Sequence, residues 1–288
     1  MPKIDIFLNS TAMSRLRCDR WYQVSCAWGY EGPSGPGAEF GSEFHNYAEY
    51  SAKAGEAADF IKYFTELNPG LSKPLQKLCI YYQQTEPFKE NPIISDAAGV
   101  PGIEYKFAFP YAENEDYRII ICGTIDRIDR EDVTLRVVDH KTSRNTKTKD
   151  VLREYELHLQ VPFYMWVLKN YLSHLFPEDI QAKLAANDFI GRYHGVFLSF
   201  DPVKFELGNL IRLTPDMEGA VKEMIAAAAA RMVAIHKLGD NLALPTGMPH
   251  EACKHCHLAN LCVTRNNADV YRYLASQTSK PYDPRTWR

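Results

Sequence analysis

Two aspartates and a lysine carry the first chemical signal in this chain. The stretch Gly123-Thr-Ile-Asp126-Arg-Ile-Asp129 is followed by Val137-Val-Asp139-His-Lys141-Thr142. Both stretches are apolar and β-branched up to the acid, so each reads as a strand with Asp126 or Asp139 where the apolar run gives out. Strand side chains alternate between faces, which puts Asp139 and Lys141 on the same side. On neighbouring strands, Asp126, Asp139 and Lys141 converge. Two carboxylates there suit a hard divalent cation such as Mg2+ or Mn2+. Such an ion activates water and offsets charge on a phosphate, while the ammonium orients the attacking water or stabilises developing charge. The bland alternative, turn aspartates and a surface Asp–Lys pair, fits any one of these residues alone.

Three more polar residues bear on the choice. Gln160 and Tyr164 lie one helical turn apart, and Gln160 interrupts a stripe with Leu157 and Val161. A buried amide needs a partner. His45, in Gly41-Ser-Glu-Phe-His45, opens another helical stretch. Imidazole is a competent Mn2+ ligand and tolerable beside Mg2+, although a lone histidine is more often a surface or core residue.

A second signal is Cys253-Lys-His-Cys256-His-Leu-Ala-Asn-Leu-Cys262. A Cys-x-x-Cys pair lets two sulfurs grip one metal centre from a tight turn, and Cys262 adds a third. Cys18 is the candidate fourth ligand, with Cys26 competing; His255 and His257 are also able to replace a cysteine. Spacing does not separate iron from zinc. Cys79 and Cys122 read as core thiols.

The elements that must position these groups follow from periodicity. Helices are expected over about 42–67, ended by Asn68-Pro-Gly70, and over about 71–84. Strands are expected at 103–109, 118–126 and 133–140, antiparallel at the first hairpins. A helix over 154–176, a strand over 193–200 and a helix opened by Thr214-Pro215-Asp216 and ending near Gly239 complete the core. The Gly/Pro-rich segment Glu31–Gly37 reads as a flexible connection. The outcome is an α/β fold in a single domain spanning 1–288, with the core at about 41–240 and cysteine-bearing segments at 1–40 and 241–270.

Composition sets bounds on function. The chain has 288 residues, 45% hydrophobic and 24% charged, so a disordered protein is excluded. The net charge of -3 gives no global basic field. Binding to nucleic acid then depends on local charge: Arg127, Arg130, Arg144, Lys147, Lys149 and Arg153, with 142–149 read as a mobile basic loop that follows phosphates. The rival reading is a solvated loop with no partner. Trp21, Tyr22, Trp28 and Tyr30 either stack unpaired bases or pack around the cysteines. No run is long enough to span a membrane, and the first residues lack the form of a signal peptide. The expected location is the cytoplasm, where seven cysteines serve as metal ligands and buried thiols rather than disulfides.

Taken together and in this order, these segments resemble the RecB-type branch of the PD-(D/E)XK nuclease superfamily. Gly41–His45 is similar to its Gly-Thr-x-hydrophobic-His segment, and Glu104 in Ile103-Glu-Tyr-Lys-Phe107 to its early-strand acid. Gly123–Asp129 is similar to its second motif, Val138–Thr142 to its Asp-Tyr-Lys-Thr core, and Gln160–Tyr164 to its closing Gln-x-x-x-Tyr. Pro162 departs from that last pattern; it is tolerated if Gln160 opens the helix and kinks the helix if it starts at Glu154. The resemblance implies a restriction-endonuclease-like core, a mixed β-sheet flanked by helices. It implies Mg2+ or Mn2+ held by His45, Asp126, Asp139 and the His140 carbonyl, with Glu104 as an uncertain further ligand. Lys141 would be catalytic, and Gln160 and Tyr164 would align it or contact the DNA backbone.

The cysteines resemble the iron–sulfur subgroup, which includes the CRISPR-associated exonucleases of spacer acquisition. That implies a [4Fe–4S] cluster on Cys18, Cys253, Cys256 and Cys262, stapling the chain ends together, with zinc as the alternative. The implied activity is hydrolysis of DNA from single-stranded or frayed ends, with an endonuclease as the nearest rival. A homo-oligomer or recombination and adaptation partner proteins are compatible with it. Two other readings stand beside it: a non-catalytic DNA-binding adaptor, and a zinc-binding scaffold without a DNA role.

Overall fold

A computed structural model describes residues 3–30, 36–54, 59–85, 91–131, 134–185, 189–199, 203–245, 253–254, 256–263 and 267–276. Most of the Gly/Pro-rich connection (31–35), the first residue of one expected strand (Val133), the last of another (Phe200) and His255 lie outside the described residues. The elements run β1 (Ile4–Leu8), α1 (Ser10–Arg15), α2 (Asp19–Tyr22), α3 (Pro36–Ala54), α4 (Phe60–Lys62), α5 (Lys73–Thr85), β2 (Ile103–Glu113), β3 (Tyr117–Glu131) and β4 (Thr134–Ser143). They continue as α6 (Thr148–Glu156), α7 (Gln160–Val167), α8 (Glu178–Ala185), β5 (Phe189–Phe197), β6 (Lys204–Leu207), β7 (Ile211–Arg212), α9 (Pro215–His236), α10 (Ala259–Val263) and α11 (Asn267–Ser276). The result is a mixed sheet flanked by helices. No helix among the described residues is long and apolar enough to cross a membrane.

The chain divides into two compact units. The first comprises 1–33, 106–123 and 222–288, the second 34–105 and 124–221. In the second unit, β3 pairs antiparallel with β4, β4 runs parallel to β5, and β5 pairs antiparallel with both β6 and β7. One face of this sheet is covered by α3 and α5, whose Phe44, Tyr47, Leu75, Leu78 and Tyr82 cluster with Val196 of β5. The opposite face receives α6 and α7. Gly191 permits that approach, because a Cβ there would stand 2.1 Å from Val161 Cγ1. Any side chain at this position would push α7 off the strand that sets its height.

In the first unit, β1 runs parallel to β3 from Ile4↔Tyr117 to Leu8↔Ile121. Asn9 caps α1 by accepting the Ala12 N–H at 2.8 Å. The N-terminal helices hold the C-terminal segment by polar bonds. Gln23 accepts from Ala243 N at 2.7 Å and donates to Asn241 O at 2.8 Å, and Asp19 pairs with Arg231. Val24, Leu258, Cys262, Val270 and Leu274 form its apolar centre.

Several expectations need correction. The helix expected over 154–176 is two: α6 ends at Glu156 and α7 opens at Gln160. Leu157, placed on the apolar stripe by spacing, is 77% exposed in the break. Pro162 therefore falls in the first turn of α7, where its missing N–H costs nothing. The strand carrying Asp126 runs on to Glu131, so Asp126 is internal to it. The basic loop is short: Thr142 and Ser143 belong to β4 and Thr148 already begins α6. The strands β1, β6 and β7 and the helix α8 gave no sequence signal strong enough to place.

Candidate metal and cysteine sites

The β3–β4 ladder ends at Arg127↔Val138, so Asp126 and Asp139 are the next residues out on adjacent strands. Asp126 Oδ2 accepts the His140 backbone N–H at 2.7 Å, which fixes the carboxylate across the gap. Asp139 is 1% exposed, and its Oδ2 lies 2.6 Å from Lys141 Nζ. Its Oδ1 is buried and accepts no hydrogen bond from the described residues. Such an acceptor is costly unless something else meets it.

His45 comes from α3 and Glu104 from β2. His45 Nδ1 is 3.3 Å from Glu104 Oε1 and 3.6 Å from Asp126 Oδ2. Ligand atoms of His45, Glu104 and Asp126 all lie within 4.8 Å of one another. Glu104 adopts φ 45°, a left-handed conformation that a non-glycine residue holds at a cost of about 1–3 kcal/mol. The surrounding strand thus forces this acid toward the cluster. Its neighbour Gly102 is equally constrained, since a Cβ there would meet Ile128 and Ile94 at 2.8 Å.

Electrostatics reflect crowded negative charge. Burial opposes protonation of His45, yet Asp126 and a hydrogen bond to Glu104 carry it up to about 9. Burial and Asp126 push Asp139 up to about 6, against Lys141. Burial likewise raises Asp126, with His45 and Lys141 opposing. Lys141 is half-buried; desolvation works against its charge, but Asp139 and Asp126 hold it charged. Three carboxylates and one imidazole are a donor set for a hard divalent ion. His45, Glu104 and Asp126 form the group whose ligand atoms lie within 4.8 Å of one another; Asp139, with its orphaned oxygen, stands next to that group but outside it.

The positioning groups are also gathered. Gln160 Nε2 donates to Tyr164 Oη at 3.2 Å on α7, so the amide has its partner. On the other face, His140 Nδ1 meets His194 Nδ1 at 2.9 Å. Burial, then His194, lowers His140; burial, then Arg127, lowers His194 to about 3. The two rings form a neutral hydrogen-bonded pair behind the site. Sequence reasoning missed Tyr193 and Tyr155. Tyr193 stands beside Asp139 in the β4–β5 register and bridges Val161 N to His158 O at 3.4 Å each. The Tyr155 ring lies 5.9 Å from the Tyr193 ring. Only the parallel β4–β5 pairing, invisible locally, brings them there.

The expected DNA contacts divide. Arg144, Lys147 and Lys149 are exposed beside β4 and α6. Arg127 is not a surface cation. It is 3% exposed, and its Nε donates to Asp129 Oδ2 at 2.7 Å. Arg136 Nε and Nη2 donate to the two Asp129 oxygens at 2.9 Å each. Asp129 is fully buried and is the hub of a core ion network rather than a ligand or a turn residue.

The profile of the PD-(D/E)XK nuclease superfamily matches residues 10–263. The chain belongs to that superfamily. Comparison with curated proteins returned no match. Among solved structures, a candidate exonuclease from Eubacterium rectale is similar at TM-score 0.48 and 11% identity, over 86% of this chain and 87% of that chain. The protein SSO0001 is similar at TM-score 0.34 and 14% identity, over 76% of this chain and 84% of that one. His45, Glu104, Asp126, Asp139 and Lys141 all lie within the matched residues.

All seven cysteines are free of disulfides, and six of them, all but Cys79, lie in the first unit. Burial raises the Cys256 thiol to about 11, and Cys18, Cys262 and Cys253 add to the rise through space. Cys18, Cys262 and Cys253 thus all lie near Cys256. Cys26 instead accepts from Arg15 Nη1 at 3.6 Å. Trp28 and Tyr30 pack with Cys256 and Cys262, and Tyr22 is buried, so these aromatics line the cysteine region. The sulfurs are less tightly gathered than the acids. Among the described residues, the group of three or more potential ligands within 4.8 Å is His45, Glu104 and Asp126.

Proposed function

We propose that this superfamily nuclease hydrolyses DNA phosphodiesters with Mg2+ or Mn2+ from single-stranded or frayed ends, and carries a [4Fe–4S] cluster on Cys18, Cys253, Cys256 and Cys262. The observation that carries the nuclease reading is the buried Asp139, with one oxygen on Lys141 and the other unsatisfied, beside His45, Glu104 and Asp126. His45, Asp126, Asp139 and the His140 carbonyl would hold the ion, with Glu104 as ligand or support. The ion supplies an activated water and neutralises charge on the phosphate. The Lys141 ammonium, kept charged by Asp139, orients that water and stabilises the developing oxyanion. Gln160 and Tyr164 hold Lys141 from α7 and reach the DNA backbone. The exposed Arg144, Lys147 and Lys149 lead the strand to the site.

One consideration supports iron over zinc: the cysteine pattern resembles that of iron–sulfur nucleases. The test uses end-labelled single-stranded, double-stranded and circular DNA with Mn2+, and again with EDTA. Release of nucleotides from labelled ends, absent with EDTA and in Lys141→Ala, is expected. Cutting of circular DNA at the same rate would make it an endonuclease. Unchanged cutting in Lys141→Ala would remove the site assignment.

A further inference from the structure

Arg20, on α2 two residues after Cys18, is 3% exposed. Each of its three nitrogens donates one hydrogen bond. Nε donates to Ala243 O at 2.9 Å, Nη2 to Asn267 Oδ1 at 2.9 Å, and Nη1 to Cys262 Sγ at 3.6 Å. Ala243 O and Asn267 Oδ1 are neutral acceptors. Among the described residues no carboxylate pairs with Arg20; the nearby Asp19 pairs with Arg231 and Asp269 with Arg272. An interior guanidinium with hydrogen bonds but no charged partner is unstable, because its desolvation is uncompensated. The one partner able to become an anion is the Cys262 sulfur. Cys256 packs against the apolar cluster that holds Cys262, and Cys18 and Cys253 lie near Cys256.

We propose that Arg20 is the counter-ion and ligand-positioning residue of the cysteine cluster. It donates an N–H to the Cys262 thiolate and clamps the Cys18 helix to the segments bearing Ala243 and Asn267. This inference rests on the reading of the four cysteines as ligands. Neutral thiols leave the buried cation unpaired. Metal-bound thiolates supply the missing negative charge, so Arg20 makes the loaded state more favourable and the empty state less so. A hydrogen bond to a ligand sulfur and a fixed positive charge both favour the more reduced cluster, so the reduction potential is set higher with Arg20 than without it.

The experiment measures iron content, visible absorbance, reduction potential and bleaching rate under an iron chelator. It uses full-length parent, Arg20→Lys, Arg20→Gln and Asn267→Ala. Anaerobic preparation from iron-replete cells is required. The parent is expected to hold iron. Arg20→Gln, which keeps a donor but loses the charge, should bleach several times faster and show a more negative potential. Arg20→Lys should keep a potential near that of the parent but bleach faster, since one ammonium nitrogen cannot reach the three acceptors that three guanidinium nitrogens meet. Asn267→Ala should leave the potential in place. A parent without iron overturns the cluster reading itself. A parent with iron, joined by an Arg20→Gln that matches it in potential and bleaching, overturns the role of Arg20 and leaves the cluster standing. If Arg20→Gln does not fold, the Arg20→Lys bleaching rate decides: parent-like bleaching there also overturns the clamp.

Discussion

In the second unit, Asp126, Asp139 and Lys141 sit on adjacent strands, and α7 is seated through Gly191 against β5, which pairs with the strand carrying Asp139 and Lys141. The backbone therefore fixes these candidate ligands, down to the His140 N–H on Asp126. In the first unit, Cys18 precedes a four-residue helix, and Cys253, Cys256 and Cys262 come from short segments at the far end of the sequence. Polar clamps such as Gln23 and Arg20 bring those segments to it. One site is presented by regular structure. The other depends on side-chain bonds and, in the proposed loaded state, on the metal itself. The two should therefore fail differently.

The largest effect tests that separation directly. Asp139→Asn is expected to reduce cleavage by at least about 10²–10³-fold while iron content stays at the level of the parent. Cys18→Ala should do the reverse: iron is lost and the melting temperature drops, but Mn2+ still binds the second unit with parent-like affinity by calorimetry. Loss of Mn2+ binding in Cys18→Ala as severe as in Asp139→Asn would show that the sites are not independently built.

Next in size is Asp129→Asn. Asp129 is the shared acceptor of Arg127 and Arg136, all three buried. Breaking such a network leaves uncompensated charge, so a loss of about 3–5 kcal/mol in chemical denaturation is expected. A loss near zero would mean the two guanidinium groups find other acceptors.

The same contrast explains what could be read ahead of the structure. Asp126, Asp139, Lys141, Gln160 and Tyr164 were legible because period-two and period-3.6 patterns say which residues share a face. The superfamily came from the resemblance of five motifs in order, His45 and Glu104 among them, and the mixed sheet flanked by helices was what that resemblance implied. Arg127 was misread because charge in a sequence carries no burial; only the Arg136↔Asp129 pairing shows that the guanidinium turns inward. The break at Leu157 was hidden because a helical apolar spacing continues across it, while the Tyr155–Tyr193 contact depends on a parallel pairing between distant strands. In the first unit no periodicity announces the clamps. Gln23 and Arg20 bond to groups beyond residue 240, and nothing in their own segment marks them.

A smaller effect separates ligand from support at Glu104. The φ of 45° and the 3.3 Å approach to His45 both aim this carboxylate at the cluster. Glu104→Gln is expected to weaken Mn2+ binding about 10–100-fold, the range for groups that orient or assist a ligand. Binding abolished outright would promote it to a principal ligand.

The smallest effect is a difference in pH response. In the first unit His236, 3.3 Å from Tyr22 Oη, is lowered from 6.5 to about 4 by burial. The folded state thus prefers the neutral ring. Its contribution to stability is complete above about 6.5, shrinks as the unfolded chain takes up a proton below that, and is lost as pH falls through about 4. His194 in the second unit has the same sign. There, however, metal-free Asp139 is raised to about 6, and that contribution is present at low pH and lost as pH rises through about 6. The two trends oppose each other in the second unit, whereas His236 acts in the first without such an offset among the shifted groups there. His236→Gln keeps a partner for Tyr22 without a titrating ring. Between pH 6.5 and 4 its melting temperature should fall less steeply than that of the parent. Equal slopes would place the acid-sensitive element elsewhere, with the second unit giving way first.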